Sequence, residues 1–273
     1  MLSGRADLHI HSTASDGAMT PAEVVQEAAR VGLAAICLSD HDTVDGLREA
    51  TIAAKSAGIE CVPGVEINTD FGDTELHIMG YFIDPDCPEL AKALSRLRDA
   101  RVERTDKIVQ KLRGLGVKVT MDRVLEIAGH GSIGRPHIAQ AICESGATSG
   151  MAAAFGKYLA RGAAAYVPRS KMTPEEAVKI IIAAGGAAGL AHPGKIGNDG
   201  IILDLMNAGL RALEVYHTDH KRSVSRRYKK LANKYGLIPT GGSDCHGERP
   251  VSIGIVTVDI EIVEQLRQAA RGR

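Results

Sequence analysis

The stretch Leu33 to Ser39, LAAICLS, offers water almost nothing, so a strand built from it must be covered on both faces, as the strands of parallel sheets are. Its surroundings fit that demand. Thr20-Pro21-Ala22-Glu23 reads as a helix start, with Thr20 as cap, proline at the first helical position and an acid in the first turn. That spacing predicts a helix to about Val31, stopped at Gly32. A second helix is predicted over Val44 to Ala57 before Gly58, then strands over Glu60 to Ile67 and Glu75 to Phe82. Thr173-Pro174-Glu175-Glu176 repeats the same start. After its helix come strands over Gly186 to Ala191, Ala212 to Tyr216 and Leu237 to Gly241, with helices over Ile201 to Ala208 and His220 to Tyr235 between them. A strand over Ser252 to Val258 and a helix over Ile260 to Ala270 complete the pattern. Repeated strand-helix units imply parallel strands with right-handed crossovers, and chemistry in such folds collects at the carboxyl ends of strands.

Between these halves strands vanish. Leu90, Leu94, Leu97, Ile108, Leu112 and Leu115 recur at three- and four-residue steps, which predicts a long amphipathic helix from Pro88 to about Arg113. Shorter helices are expected over 121–127, 135–143 and 151–159. The chain therefore divides into 1–83, a helical insertion over 84–165 that would cap a substrate, and 166–273.

The residues that carry chemistry gather after strands. In Arg5 to Gly17, RADLHIHSTASDG, two-residue alternation sends Asp7, His9 and His11 one way and Leu8 and Ile10 the other. Two imidazoles on one face are a metal-binding pattern, although two hydrogen-bonded core histidines would look alike. The rest of the chain favours metal. Six of ten histidines (His9, His11, His41, His77, His192 and His246) lie within or just after expected strands, with Asp16, Glu66 and Asp244. Core histidines scattered for packing would not share one end of a sheet. Asp7, Asp40 and Asp42 stand beside these histidines, either to orient the imidazoles or to satisfy local backbone amides.

Taken together, DLHIHS, SDHDTVDG, GVEIN, HIMGYF, AHPG and GGSDCHG resemble the polymerase and histidinol phosphatase (PHP) superfamily of metal-dependent phosphoesterases. The resemblance implies an α/β fold, a distorted (β/α)7 barrel with a helical insertion, and three divalent ions. It assigns His9, His11, Glu66 and Asp244 to one ion, Asp16, His41 and His246 to a second, and His77 and His192, sharing Glu66, to the third. The nitrogen and oxygen donors suit Mn²⁺, Fe²⁺ or Zn²⁺ without choosing between them, and Mn²⁺ is the ion expected. Clustered ions lower the pKa of a bridging water and polarise a phosphoryl oxygen, so the catalytic work falls to His9, His11, Asp16, His41, Glu66 and His246, with no protein nucleophile. The insertion and the GRPHIA segment resemble the branch of nucleoside 3',5'-bisphosphate phosphatases and of ribonuclease AM, which trims short RNA from the 5' end. A phosphatase for a small metabolite such as histidinol phosphate, or a metal-stapled scaffold without hydrolysis, are the competing readings.

A phosphate dianion also needs fixed positive charge. Arg135, in Ser132-Ile133-Gly134-Arg135-Pro136-His137, stands where a helix begins, so its guanidinium and the helix N-terminus could face one anion. It is expected to bind phosphate, with His137 as a weaker candidate. Arg101 and Arg104 interrupt the leucine stripe, and an arginine on an inward face wants an anion or a buried partner. Lys171 and Lys195 are further candidates, or solvated lysines.

Composition limits the partners. Charge is balanced at 33 basic against 33 acidic residues, aromatic residues are 3% and tryptophan is absent. That excludes a coat for duplex DNA and leaves little to stack on several bases. Two stretches are locally basic, nine lysines and arginines from Lys92 to Lys118 and seven without an acid from Lys221 to Lys234. The second reads as a solvated helix face. A small nucleotide or short oligonucleotide is the expected partner. Five cysteines without a CxxC pair point to a reducing cytoplasm, and with no long apolar run neither export nor a membrane span is expected.

Overall fold

The computed structural model describes residues 4–72, 74–129, 131–168 and 172–272; Lys171 lies outside them. Two compact units emerge, one comprising Met1–Ala93 and Lys171–Arg273, the other Leu94–Ser170.

The first unit is a nearly closed barrel. In chain order it contains β1 (Arg5–Ile10), α1 (Pro21–Arg30), β2 (Ala35–Leu38), α2 (Leu47–Ala57), β3 (Glu60–Phe71), β4 (Thr74–Tyr81) and the start of α3 (Pro88–Gly114). The second unit holds the rest of α3, α4 (Met121–Ala128), α5 (Arg135–Glu144) and α6 (Met151–Ala154), which runs on as a π-helical turn over Phe155–Leu159. The barrel resumes with α7 (Pro174–Ala183), β5 (Ala187–Leu190), α8 (Ile201–Ala208), β6 (Ala212–His217), α9 (Arg222–Tyr235), β7 (Ile238–Gly242), β8 (Val258–Asp259) and α10 (Ile260–Arg271).

Both expected helix starts form. The Thr20 and Thr173 hydroxyls accept from the N–H of Glu23 and Glu176, whose carboxylates accept from the threonine N–H in return. Each reciprocal pair satisfies two N–H groups that a helix leaves unpaired.

The strand order is β7-β6-β5-β4-β3-β2-β1-β8. β1 to β3 are parallel, and so are β5 to β7, but β4 runs antiparallel to both neighbours. Uniformly parallel strands are thus not what forms, because the short β3–β4 connection leaves no chain for a crossover. The strand expected over 252–258 is also corrected. Gly254 takes φ 81° there, incompatible with an extended strand, and only Val258–Asp259 pairs, antiparallel to Arg5 and Ala6.

Beyond β8, the upper part of β1 meets the chain leaving β7. Ile10 and Cys245 form a parallel bridge, Asp244 N–H donates to His9 C=O at 2.9 Å and His11 N–H to Cys245 C=O at 3.0 Å. Gly242 makes this seam possible, since a Cβ there would fall 2.4 Å from the Cβ and backbone nitrogen of His9. Small residues Ala6, Ala35, Ala187 and Ala212 line the opposite end, where Val263 and Leu266 of α10 join the same core. α10 packs across β1, β4, β5 and β7 and stoppers the barrel at the amino ends of its parallel strands.

The helical unit has its own core, built on Ile108, Leu112, Val124, Ile138, Ile142 and Leu159. Leu90 and Leu94 of the α3 stripe are buried. Leu115, past the end of the helix, is half exposed.

A candidate metal centre at the carboxyl ends of the strands

The expected ligands arrive from several separate elements. β1 supplies His9 and, just beyond it, His11; the following loop supplies Asp16; the end of β2 leads to His41; β3 carries Glu66 and the segment after β7 carries Asp244 and His246. His77 lies early in β4, which runs the other way, so it reaches the same end of the barrel. Two ligand positions, and Asp42 beside a third, have unusual backbones. Asp42, His192 and Asp244 hold φ of 53°, 26° and 52° without being glycine, a conformation that surrounding structure must enforce.

At the centre, His9 Nε2 and His11 Nε2 face Glu66 Oε2 and Asp244 Oδ1, and the four nitrogen–oxygen separations run from 3.1 to 3.4 Å. A tetrahedron with bonds of about 2.0–2.1 Å to a central ion has edges of about 3.3 Å. Both histidine nitrogens and Glu66 Oε2 are buried without a hydrogen-bond partner among the described residues. Buried polar atoms are rarely left so, and three aimed at one point are what a cation would satisfy. The donor set fits a divalent ion.

The other candidates surround this point. His11, Asp16, His41 and His246 offer ligand atoms all within 4.8 Å of one another, as do His41, Glu66 and His77. Glu66 links the groups. Its Oε2 lies 2.9 Å from His41 Nδ1, and its Oε1 lies 2.8 Å from His77 Nδ1 and 3.2 Å from His192 Nε2. Asp16 Oδ1, also buried without a partner, is 3.4 Å from His246 Nε2. All nine expected ligands therefore converge.

The electrostatics agree. Burial alone would depress an imidazole pKa, yet the facing carboxylates overcome it, holding His9 well above its ordinary value, His11 at about 10 and His77 at about 9. Glu66 and Asp244, although buried, are held well below the carboxylate range by those histidines. A pocket that draws protons onto buried imidazoles draws cations. His192 differs, since burial takes it down to about 4 and leaves it neutral.

Sequence reasoning missed two residues. Glu214, on β6, is buried, with Oε1 at 3.0 Å from His9 Nδ1 and Oε2 accepting the His192 N–H at 2.6 Å. His217 Nε2 lies 3.1 Å from Asp244 Oδ2, which Lys195 Nζ approaches to 3.7 Å. Alternation in ALEVYH could have found Glu214, a lone acid in an otherwise apolar strand whose neighbours carry ligands.

Of the two roles open to Asp7, Asp40 and Asp42, the bonds they make favour the second, holding local backbone and loop groups. The pairing of β1 with β2 shifts register between Asp7 and Ile10, and Leu8 joins the apolar core with Ala6, two residues before it. Asp7 accepts the N–H of Ser243 and Gly254 instead, and burial lifts its pKa to about 6. Asp40 pins the Asp16 loop by accepting from Ser12 N–H at 2.7 Å and from the Ser12 and Ser15 hydroxyls. Asp42 accepts from Asn68 N–H and Nδ2, and that Nδ2 sits 3.2 Å from His41 Nδ1.

Of the substrate-side candidates, Arg101, Arg104, Arg135 and His137 belong to the helical unit and Lys195 to the barrel. Arg135 opens α5, and His137 Nδ1 accepts the Gly134 N–H at 3.0 Å. Arg101 donates to Ile133 C=O at 3.1 Å and Arg104 to Val167 C=O at 2.8 Å. Lys195 pairs with Asp219 at 2.8 Å.

Comparison with known proteins places these features. The PHP domain model matches residues 7–110. A 3',5'-nucleoside bisphosphate phosphatase of Chromobacterium violaceum is 37% identical over 88% of this chain and 86% of its own. The 5'-3' exoribonuclease Rnm of Escherichia coli K12 is 33% identical over 89% and 86%. A solved chain from Bifidobacterium adolescentis, described as a metal-dependent phosphoesterase, superposes with a TM-score of 0.90 at 30% identity and covers 98% of each chain.

Proposed function

This chain belongs to the PHP domain family, and we propose that it is a metal-dependent phosphoesterase for nucleotides, removing phosphate from a nucleoside 3',5'-bisphosphate or trimming a short RNA from its 5' end. The observation that carries the reading is the set of buried, partnerless ligand atoms on His9, His11 and Glu66, spaced with Asp244 as the corners of one coordination shell. Three ions, with Mn²⁺ preferred, suit the overlapping groups of histidine and carboxylate ligand atoms gathered at this end of the barrel. Bound there, divalent ions supply Lewis acidity toward a phosphoryl oxygen and a water of lowered pKa.

The chain's own residues do the rest. Glu66 shares its two oxygens between the His9–His11 pair and the His77–His192 pair and would serve an ion at each. His246 and His41, partly exposed, face the side from which substrate enters. Arg135, at the start of α5 in the segment where Ser132 Oγ is buried without a hydrogen-bond partner among the described residues, supplies fixed charge for a substrate phosphate. Arg101 and Arg104 of the helical unit are further cations for a substrate phosphate. Among the described residues no helix is long and apolar enough to cross a membrane. Five unpaired thiols suit the reducing cytoplasm.

The test is phosphate release by manganese-loaded protein from adenosine 3',5'-bisphosphate, histidinol phosphate and a short 5'-phosphorylated RNA. Preference for the bisphosphate or the RNA, lost in His9→Ala, is the expected outcome. Preference for histidinol phosphate would overturn the substrate, and no release from any of the three by protein of verified metal content would overturn the activity.

A further inference from the structure

The chain is neutral overall, yet α9 and the residue before it carry Lys221, Arg222, Arg226, Arg227, Lys229, Lys230 and Lys234 without one acid. All seven are exposed. Arg227 is held by Asp199 at 2.5 Å, but among the described residues no ion pair engages Lys221, Arg222, Arg226, Lys229 or Lys230. Four of them, Arg222, Arg226, Lys230 and Lys234, follow one another at four-residue steps, so their charges form a single row with about 6 Å of helix rise between neighbours. Like charges at that step oppose helix formation. The first turn, where the helix dipole favours an acid, has none here, whereas α1, α2, α3, α4, α7, α8 and α10 each have one. Nothing in the packing of α9 calls for this row, since the face it buries carries Tyr228 and Ala232.

Position gives the row a use. α9 begins where β6 delivers His217, whose Nε2 meets Asp244, and the intervening His220 accepts the Gly194 N–H next to His192. The helix then leaves the rim and descends the barrel wall for about 21 Å over its 14 residues. A groove of about 500 Å³ lined by Arg226, Arg227 and Lys230 lies on one side of it, and another of about 580 Å³ lined by Lys229, Ser225 and Tyr216 on the other.

We propose that α9 is a track for the sugar-phosphate backbone of a single-stranded RNA whose terminal phosphate occupies the ion-binding pocket. The inference rests on the nucleotide reading above and extends it to the downstream nucleotides. A regular row of unpaired cations leading from the pocket matches a regular row of phosphates. With few aromatic side chains to stack on bases, the track holds RNA by charge alone and is indifferent to sequence.

The experiment uses metal-loaded protein and a labelled 12-nucleotide RNA with hydrolysis-resistant phosphorothioate linkages, with binding read by anisotropy over a salt series. Arg226→Glu with Lys230→Glu is compared with the wild type and with Arg48→Glu plus Lys55→Glu on α2, which changes net charge equally. The α9 pair should weaken RNA binding at least tenfold and reduce the slope of log K against log salt by about 1.4. Hydrolysis of adenosine 3',5'-bisphosphate should be unchanged, and the α2 pair should have little effect on either. Unaltered affinity and slope, equal loss in the α2 pair, no wild-type binding of the 12-mer, or binding of phosphatidylserine vesicles in place of RNA would each overturn the track. Binding is read without turnover, so an α9-dependent affinity in protein that hydrolyses none of the nucleotide substrates would sink the proposed activity and leave the track standing.

Discussion

Glu214 holds His9 from behind, with Oε1 3.0 Å from the imidazole Nδ1, while Nε2 of the same ring points at Glu66 and Asp244. An Nδ1–H given to Glu214 leaves the Nε2 lone pair free, which is the tautomer an ion requires. The other oxygen of Glu214 accepts the N–H of His192 at 2.6 Å, so one carboxylate sets two candidate ligands.

Glu214→Gln keeps the volume and an acceptor but removes the charge. It should lower metal affinity about 10- to 100-fold with an unchanged circular dichroism spectrum. Competition with a chelating dye measures this, and wild-type affinity in the variant would show that Glu214 merely fills space.

Metal uptake should release protons. With no ion bound, His11 and His77 titrate at about 10 and about 9, so near pH 7.5 an ion must displace protons to reach those nitrogens. Calorimetry in buffers of different ionisation enthalpy should report at least one proton released, and affinity should fall as pH is lowered from 9 to 6. The sign for stability follows from linkage. A histidine whose folded pKa is raised contributes stability in full below its unfolded value, about 6.5, and loses it as pH rises through the folded value. The melting temperature of the metal-free protein should therefore decline between about pH 6.5 and 10, while that of the loaded protein should be flatter.

Gly242→Ala should be among the most damaging small substitutions. Its methyl group would meet the backbone nitrogen and Cβ of His9 at 2.4 Å, and the backbone on both sides of the seam cannot step back separately. A loss of about 3 kcal/mol is expected, together with weaker metal retention, as measured by urea unfolding and metal analysis.

Arg135→Ala should raise KM for a nucleoside bisphosphate about 10- to 100-fold, the worth of a charge-assisted hydrogen bond, and leave metal content intact. Steady-state kinetics with metal analysis decide it, and an unchanged KM would remove Arg135 from the phosphate site.

Much of this architecture was legible in the residues. Thr20 and Thr173 announced their helices because a capping box is local chemistry. His9, His41, His192 and His246 marked strand ends because an ion needs donors from several strands at once. Pairing across the sheet was less accessible. The antiparallel setting of β4 and the register shift after Asp7 both depend on how neighbouring strands pair, which local residue pattern does not carry. Glu214 stayed hidden because its role exists only through His9, 205 positions away, and His192, 22 positions away.

The seam between Ile10 and Cys245 also fixes an order of events. His9 and His11 leave the ribosome early, whereas Asp244 and His246, which complete their surroundings, follow more than two hundred residues later. Contacts so distant in sequence form late. The histidines of a half-made chain thus wait without the carboxylate that would help them keep an ion, and capture of the metal marks a barrel that has already shut.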